Sequence, residues 1–228
     1  MRNLHGLVAV ITGATKGIGY GIAEAFLKEG INVVVTGRKS ETIDEAVKKL
    51  NGYGNDSAYA IGIEADVSNY ESMEKLVRQV EDKFGKIDVV VANAGVGHFA
   101  SIRDLSLEQW NETIGTNLTG AFYTLKATVE QLIKSKGYYI SISSLAGTNF
   151  FANGSAYNAS KFGLTGFTQA AMLDLRAHGV KVSTIMPGSV STHFNNNEPD
   201  EKGAWKIQSE DIGTVSYTHL TLPTKRIV

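Results

Sequence analysis

Leu7 to Gly19 reads LVAVITGATKGIG: an unbroken apolar run, then a turn in which glycine recurs at 13, 17 and 19, then the start of an amphipathic stretch. A run that is apolar at every position, rather than at every second one, suits a strand covered on both faces. Glycine in the turn lets the chain bend tightly, and it leaves backbone N–H groups open to an anion at the N-terminus of the following helix. The turn lacks the Gly-Lys-Ser/Thr ending of a nucleoside-triphosphate loop, so it is read as a pyrophosphate cradle. Its residues Gly13, Thr15, Lys16, Gly17, Ile18 and Gly19 are the first cofactor-binding candidates.

Working outward, similar runs follow at Ile31 to Thr36, Ala58 to Ile63, Ile87 to Ala92, Tyr138 to Ser143 and Val180 to Met186, with amphipathic stretches between them. Ser68 with Glu71 and Ser106 with Gln109 have the spacing of capping boxes, and Gly30 and Gly85 have the placing of helix stops. Strand and helix alternate throughout. With right-handed crossovers this predicts a single α/β domain, a doubly wound, Rossmann-like parallel sheet with its ligand beyond the carboxyl ends of the strands.

The 228 residues carry 22 Lys+Arg against 23 Asp+Glu and no cysteine. A nearly neutral chain without basic runs argues against nucleic acid as a partner, and the lack of cysteine removes disulfides, thiolate metal ligands and thiol nucleophiles. The opening apolar stretch is too short for a signal peptide or membrane span, so a cytoplasmic, soluble protein is expected. The five histidines show no ligand spacing, and no metal is expected.

The end of the second strand reads VVVTGRKS, Val33 to Ser40, where an acid would bind a free 2′-hydroxyl of the adenosine ribose. No carboxylate stands there. Arg38 offers a guanidinium fork to a 2′-phosphate and Lys16 a second positive charge, so NADP(H) is preferred over NAD(H). Further on, Tyr157 and Lys161 stand four apart in SAYNASKFG, on one face of a helix, and Ser144 lies just past the fifth apolar run. A lysine ammonium beside Tyr157 is expected to lower the phenol from about 10, so that it passes a proton near neutral pH, with Ser144 bonding the substrate oxygen.

These motifs, in this order over about Leu7 to Ile212, resemble the short-chain dehydrogenase/reductase family of the classical type. The resemblance implies that Asn117 of GTNLTG joins Ser144, Tyr157 and Lys161 as a catalytic tetrad, holding a water that links Lys161 to solvent. It implies an adenine contact at Asp66 and Val67 and further dinucleotide contacts at Asn93, Ala94 and Gly95. Pro187, Gly188, Val190 and Thr192 of MPGSVST would sit against the nicotinamide, and Tyr157 and Lys161 against its ribose. The implied reaction is hydride transfer between the nicotinamide and a carbonyl or secondary alcohol. The implied assembly is a homodimer or homotetramer.

Substrate choice is expected in the short polar segment His193 to Gln208, with Phe194 and Trp205, and with Phe99, Phe150 and Phe151 as further lining candidates; His98 and His193 border the same region. A small carbonyl compound is the first reading, a 3-oxoacyl thioester the second. A non-catalytic NADP-binding regulatory protein is the reading from another class. After Ile212 the further helix and final apolar strand implied by the family are not visible. Val215 to Thr224 match, letter for letter, the translation of a transposase sequencing adapter. The expected domain is therefore residues 1–214, lacking its last strand, with 215–228 a foreign tail.

Overall fold

The computed structural model describes residues 4–54, 58–197, 199 and 201–221. Six parallel strands lie in the order β3-β2-β1-β4-β5-β6: β1 Val8–Ile11, β2 Asn32–Gly37, β3 Ala60–Glu64, β4 Val89–Ala92, β5 Tyr138–Ile142 and β6 Lys181–Ile185. The order reverses between β1 and β4, which opens a crevice at their carboxyl ends. Each predicted apolar run coincides with one of these strands, β2 and β3 extending one residue beyond theirs.

The pleat explains why the runs are unbroken. Ala9 and Ile11 of β1 face one core with Ile22, Phe26 and Leu27 of α1 (Gly17–Lys28) and Ile43 and Leu50 of α2 (Ser40–Leu50). Val8 and Val10 face the other, with Met73, Leu76 and Val80 of α3 (Tyr70–Phe84), Leu125 and Leu132 of α5 (Gly120–Ser135) and Leu164 and Leu175 of α6 (Ser155–Arg176). Both faces of the strand are dry, so neither register of side chains can be polar.

Helix ends follow local chemistry, with one correction. The box at Ser106 and Gln109 caps α4 (Leu107–Ile114) in both directions. The box expected at Ser68 does not form, because the Ser68 hydroxyl donates to Asp66 Oδ1 at 2.7 Å, and Asn69 instead caps α3 by accepting from the Ser72 N–H at 3.0 Å. Asparagine caps as well as serine, and the serine is already engaged in the turn. Gly85 closes α3 at φ 73°, and Gly30 follows α1 at φ 79°.

A second correction concerns the end of the chain. Where no further helix was visible in the sequence, Ser209–Thr221 form α7, packed along α1. Ile212, Ser216 and Leu220 are buried, and the Tyr138 hydroxyl donates to the Leu220 carbonyl at 3.2 Å. The approach rests on two glycines: a Cβ on Gly21 would lie 2.4 Å from the Ser209 carbonyl oxygen, and one on Gly213 would lie 2.5 Å from that of Gly21. The remainder of the expected tail, 222–228, lies outside the described residues.

Candidate active site

A cleft of about 1050 Å³ runs across the carboxyl ends of the strands. Gly13, Thr15, Lys16, Gly17 and Ile18 border it from the first turn, Arg38 from the end of β2, Asp66 and Val67 from the end of β3, and Asn93, Ala94 and Gly95 from the end of β4. Pro187, Gly188, Val190 and Thr192 border it after β6, and Ser144, Tyr157 and Lys161 complete the wall. Residues spread over more than half the chain thus meet along one crevice.

The first turn fits a pyrophosphate for reasons visible in its backbone. Gly13 and Gly17 have φ of 64° and 60°, and a Cβ on Gly13 would stand 2.9 Å from the Ala94 Cα. Lys16, the residue before α1, places no side chain on the helix's N–H groups, which are left to an external acceptor. Gly19 departs from expectation by not bordering the cleft: a Cβ there would strike Asn93 Nδ2 at 2.5 Å and the Gly13 oxygen at 2.7 Å. Its role is packing the turn against β4. The Asn93 side chain donates to the carbonyls of Thr12 and Gly13 at 2.8 and 3.0 Å, and Thr12 Oγ1 accepts from the N–H groups of Asn93 and Ala94 at 3.0 and 3.1 Å. Thr12 was missed in the sequence; its one signal is a hydroxyl ending an otherwise apolar strand.

The ribose end is lined by Thr36, Gly37 and Arg38. A Cβ on Gly37 would press on Thr15 Cγ2 at 3.0 Å, so the site for an acid is both vacant and narrow. The Arg38 side chain is 65% exposed and 3.9 Å from Glu112, which also holds His98 at 2.8 Å.

At the other end α4 runs on into α5 without leaving helical geometry. Gly115–Thr119 form one π-helical turn, closed by the Gly120 N–H on the Gly115 carbonyl, and this turn carries Asn117 inward. Such turns recur where a helix must present a functional group. The Asn117 side chain accepts from the Val96 N–H at 2.8 Å and donates to the Val96 carbonyl at 2.9 Å and to Ser160 Oγ at 3.0 Å. Buried and outside the cleft wall, it ties the loop after β4 to α6.

Ser144 lies just past β5 and caps the short turn Leu145–Gly147. The i, i+4 spacing in α6 brings Lys161 Nζ to 5.7 Å from the Tyr157 ring centre, while the ammonium donates to the Ile142 carbonyl at 2.9 Å. The expected lowering of the Tyr157 phenol is not found. Burial pushes it above its ordinary value, against the opposing side-chain hydrogen bond with Ser144, and burial pulls Lys161 down to about 8. Both charged forms are starved of water, so Tyr157 is held as the neutral acid.

Phe99, Phe151 and Phe194 border the cleft beside Tyr157, and so do His98 and His193. Phe150, at 87% exposed, and Trp205, at 78%, do not reach it. Gly97, which was also missed, makes room for the rings: a Cβ there would lie 2.6 Å from Phe194 and 3.1 Å from Phe99. Among the described residues no cluster of side chains could hold a metal ion, and no helix is long and apolar enough to cross a membrane.

The family model for short chain dehydrogenases matches residues 7–203. The chain is 36% identical over 199 residues to a 3-oxoacyl-[acyl-carrier-protein] reductase of a Synechocystis strain, covering 86% of this chain and 79% of the relative. An alcohol dehydrogenase of the archaeon Thermococcus sibiricus, solved with 5-hydroxy-NADP, superposes with a TM-score of 0.88 at 30% identity, covering 95% of this chain and 91% of the other. A Burkholderia phymatum family member solved with NAD superposes at 0.87 with 25% identity, covering 96% and 87%. This chain belongs to the short-chain dehydrogenase/reductase family, and it is an oxidoreductase of small molecules.

Proposed function

We propose that the chain is an NADP(H)-dependent carbonyl reductase, reversible toward the secondary alcohol, that works in the cytoplasm as a homodimer or homotetramer. The observation that carries the reading is Tyr157, kept protonated by burial between Ser144 and Lys161 in the wall of a cleft shaped for a dinucleotide. A nicotinamide cofactor held along this cleft would supply the hydride for the carbonyl carbon. Ser144 orients the carbonyl oxygen by hydrogen bonding, and Tyr157 gives that oxygen its phenolic proton. Lys161 stabilises the tyrosinate left behind, a charge that the dry site otherwise opposes. Asn117 positions rather than touches substrate: its amide fixes the loop after β4 against α6.

The cofactor preference rests on Arg38. Its pairing with Glu112 is long and exposed, an arrangement contributing about 0–1 kcal/mol, so the guanidinium is free to turn onto a 2′-phosphate. Solved neighbours carry NADP in one case, 5-hydroxy-NADP in a second and NAD in a third, and the choice for this chain therefore comes from its own residues. The 3-oxoacyl thioester reading draws its support from the Synechocystis reductase. A purely regulatory role is opposed by the intact Ser144, Tyr157 and Lys161.

Turnover of a panel of carbonyl compounds with NADPH and NADH tests the whole reading. Tyr157→Phe should lower kcat at least about a hundredfold, the usual scale of a positioned proton donor, and Arg38→Ala should erase the preference for NADPH. Equal rates for wild type and Tyr157→Phe overturn the mechanism. An unchanged preference in Arg38→Ala overturns the cofactor assignment.

A further inference from the structure

Three loops far apart in sequence bring phenylalanines together beside Tyr157, two against its ring and the third against Phe99. Phe99 comes from the loop after β4, Phe151 from the loop between β5 and α6, and Phe194 from the segment after β6. The Phe99 ring centre lies 5.4 Å from that of Tyr157, edge-on, and the Phe194 centre lies 5.7 Å from it, tilted. Phe99 also meets Phe151 at 5.9 Å and Phe194 at 6.5 Å. All four separations fall in the range where aromatic quadrupoles favour edge-to-face or offset contact.

The rings are not core. Phe99 is 39%, Phe151 47% and Phe194 36% exposed, and all three border the cleft, so each keeps apolar surface free there. Gly97 is shaped to this purpose: any side chain there would meet the Phe194 ring at 2.6 Å and displace it from Tyr157. The chain is tied beside Phe194, where the Ser191 N–H donates to the Ile207 carbonyl at 2.8 Å and Thr192 Oγ1 accepts from the Phe194 N–H at 3.2 Å. That fastening holds the ring over the tyrosine.

We infer that Phe99, Phe151 and Phe194 form a cup for a flat ring carried directly on the reacting carbonyl carbon, making aryl ketones and the matching benzylic alcohols the preferred substrates. The inference rests on the carbonyl reductase reading above and narrows it. A rigid ring presents two faces and an edge to three aromatic walls and loses little conformational freedom on entering. An alkyl or acyl-thioester chain of similar mass gives each wall poorer contact and must freeze several rotors to do so.

The test compares kcat/KM with NADPH for acetophenone, for 2-octanone of equal carbon count, and for an acetoacetyl thioester of N-acetylcysteamine. The expected result is a preference for acetophenone of about tenfold or more over both, which is about 1.4 kcal/mol. Phe99→Leu and Phe194→Leu keep apolar bulk without a ring face, and each should bring the aryl-to-alkyl ratio several-fold toward one. Gly97→Ala should do the same by moving the Phe194 ring. A wild-type ratio near one, a thioester as the best substrate, or a ratio untouched by all three variants overturns the inference and leaves the reductase reading standing. If NADPH binds but no carbonyl compound in the broad panel is reduced, the reductase reading falls and this inference with it.

Discussion

Lys161 is a cation placed where water barely reaches, at 5% exposure, and its consequence is a rate that depends on pH. Its ammonium is pulled down to about 8, while the Tyr157 phenol is pushed up from its ordinary value. Below about pH 8 both groups carry their protons, and the tyrosine can donate with a cation beside it. Above that value the lysine becomes neutral while the tyrosine stays protonated, so the donor is intact but its product anion loses support. Carbonyl reduction should therefore be level from about pH 6 to 7.5 and decline through an apparent pKa near 8, measured as kcat/KM at saturating NADPH. Alcohol oxidation, which needs the tyrosinate, should rise with pH instead. A reduction profile level to pH 10 would exclude this role for Lys161. The sequence showed that these residues meet, since i, i+4 spacing and strand ends fix position. It did not show the sign of the tyrosine's shift, because burial is a property of the assembled site, and the expectation from charge alone pointed the wrong way. Asn117 was named only through the family resemblance, and its place in a π-helical turn, with its amide bonded to Val96 and Ser160, leaves no mark in composition.

The strands were readable as unbroken apolar runs and most helices as amphipathic stretches, while α7 was not. Its residues Thr214, Ser216, Thr218, His219 and Thr221 give no apolar stripe, and its docking depends on Gly21 and Gly213 letting two backbones approach. Close glycine contact is a property of two elements distant in sequence, and neither segment announces it alone. The same reasoning explains Gly19, read as part of the cradle but used to pack against Asn93. The contact has a measurable value. Gly213→Val would drive a branched side chain into the Gly21 carbonyl and the Ala25 methyl, overpacking that typically costs about 1–3 kcal/mol. For a chain of this size each kcal/mol moves Tm by roughly 2–4 °C. Calorimetry should thus show a Tm several degrees lower for Gly213→Val. Val215→Ala, on the 41% exposed side of the same helix, should move it much less. Equal melting of Gly213→Val and wild type would mean that α7 is not docked on α1 in solution.

At the scale of the molecule, both sheet faces are covered by helices, yet one outer helical surface keeps large apolar groups in water. On α6, Phe162, Gly166, Gln169 and Leu173 recur at the spacing of one helical stripe; Phe162 is 43% and Leu173 64% exposed, and Gly166 has open space where a side chain would be. Phe122 of α5 lies alongside, 44% exposed and 6.1 Å from Phe167. Exposed large apolar groups gathered on one helical face mark an association surface more often than ones scattered singly. Laid against its own copy about a twofold axis, α6 can bring its stripe onto the same stripe, with Gly166 allowing the two helices to approach closely, which makes a self-complementary contact. The homodimer proposed above would use this surface, and the carboxyl-edge cleft on a different side of α6 would remain open. Sedimentation should give a dimer or larger for wild type. The Phe162→Glu, Leu173→Glu double variant should sediment as a monomer with an unchanged circular dichroism spectrum, because both side chains already stand in water and a carboxylate there disturbs no core. A wild-type monomer at micromolar concentration, or a double variant that still dimerises, would assign these phenylalanine and leucine side chains to some other partner or to none.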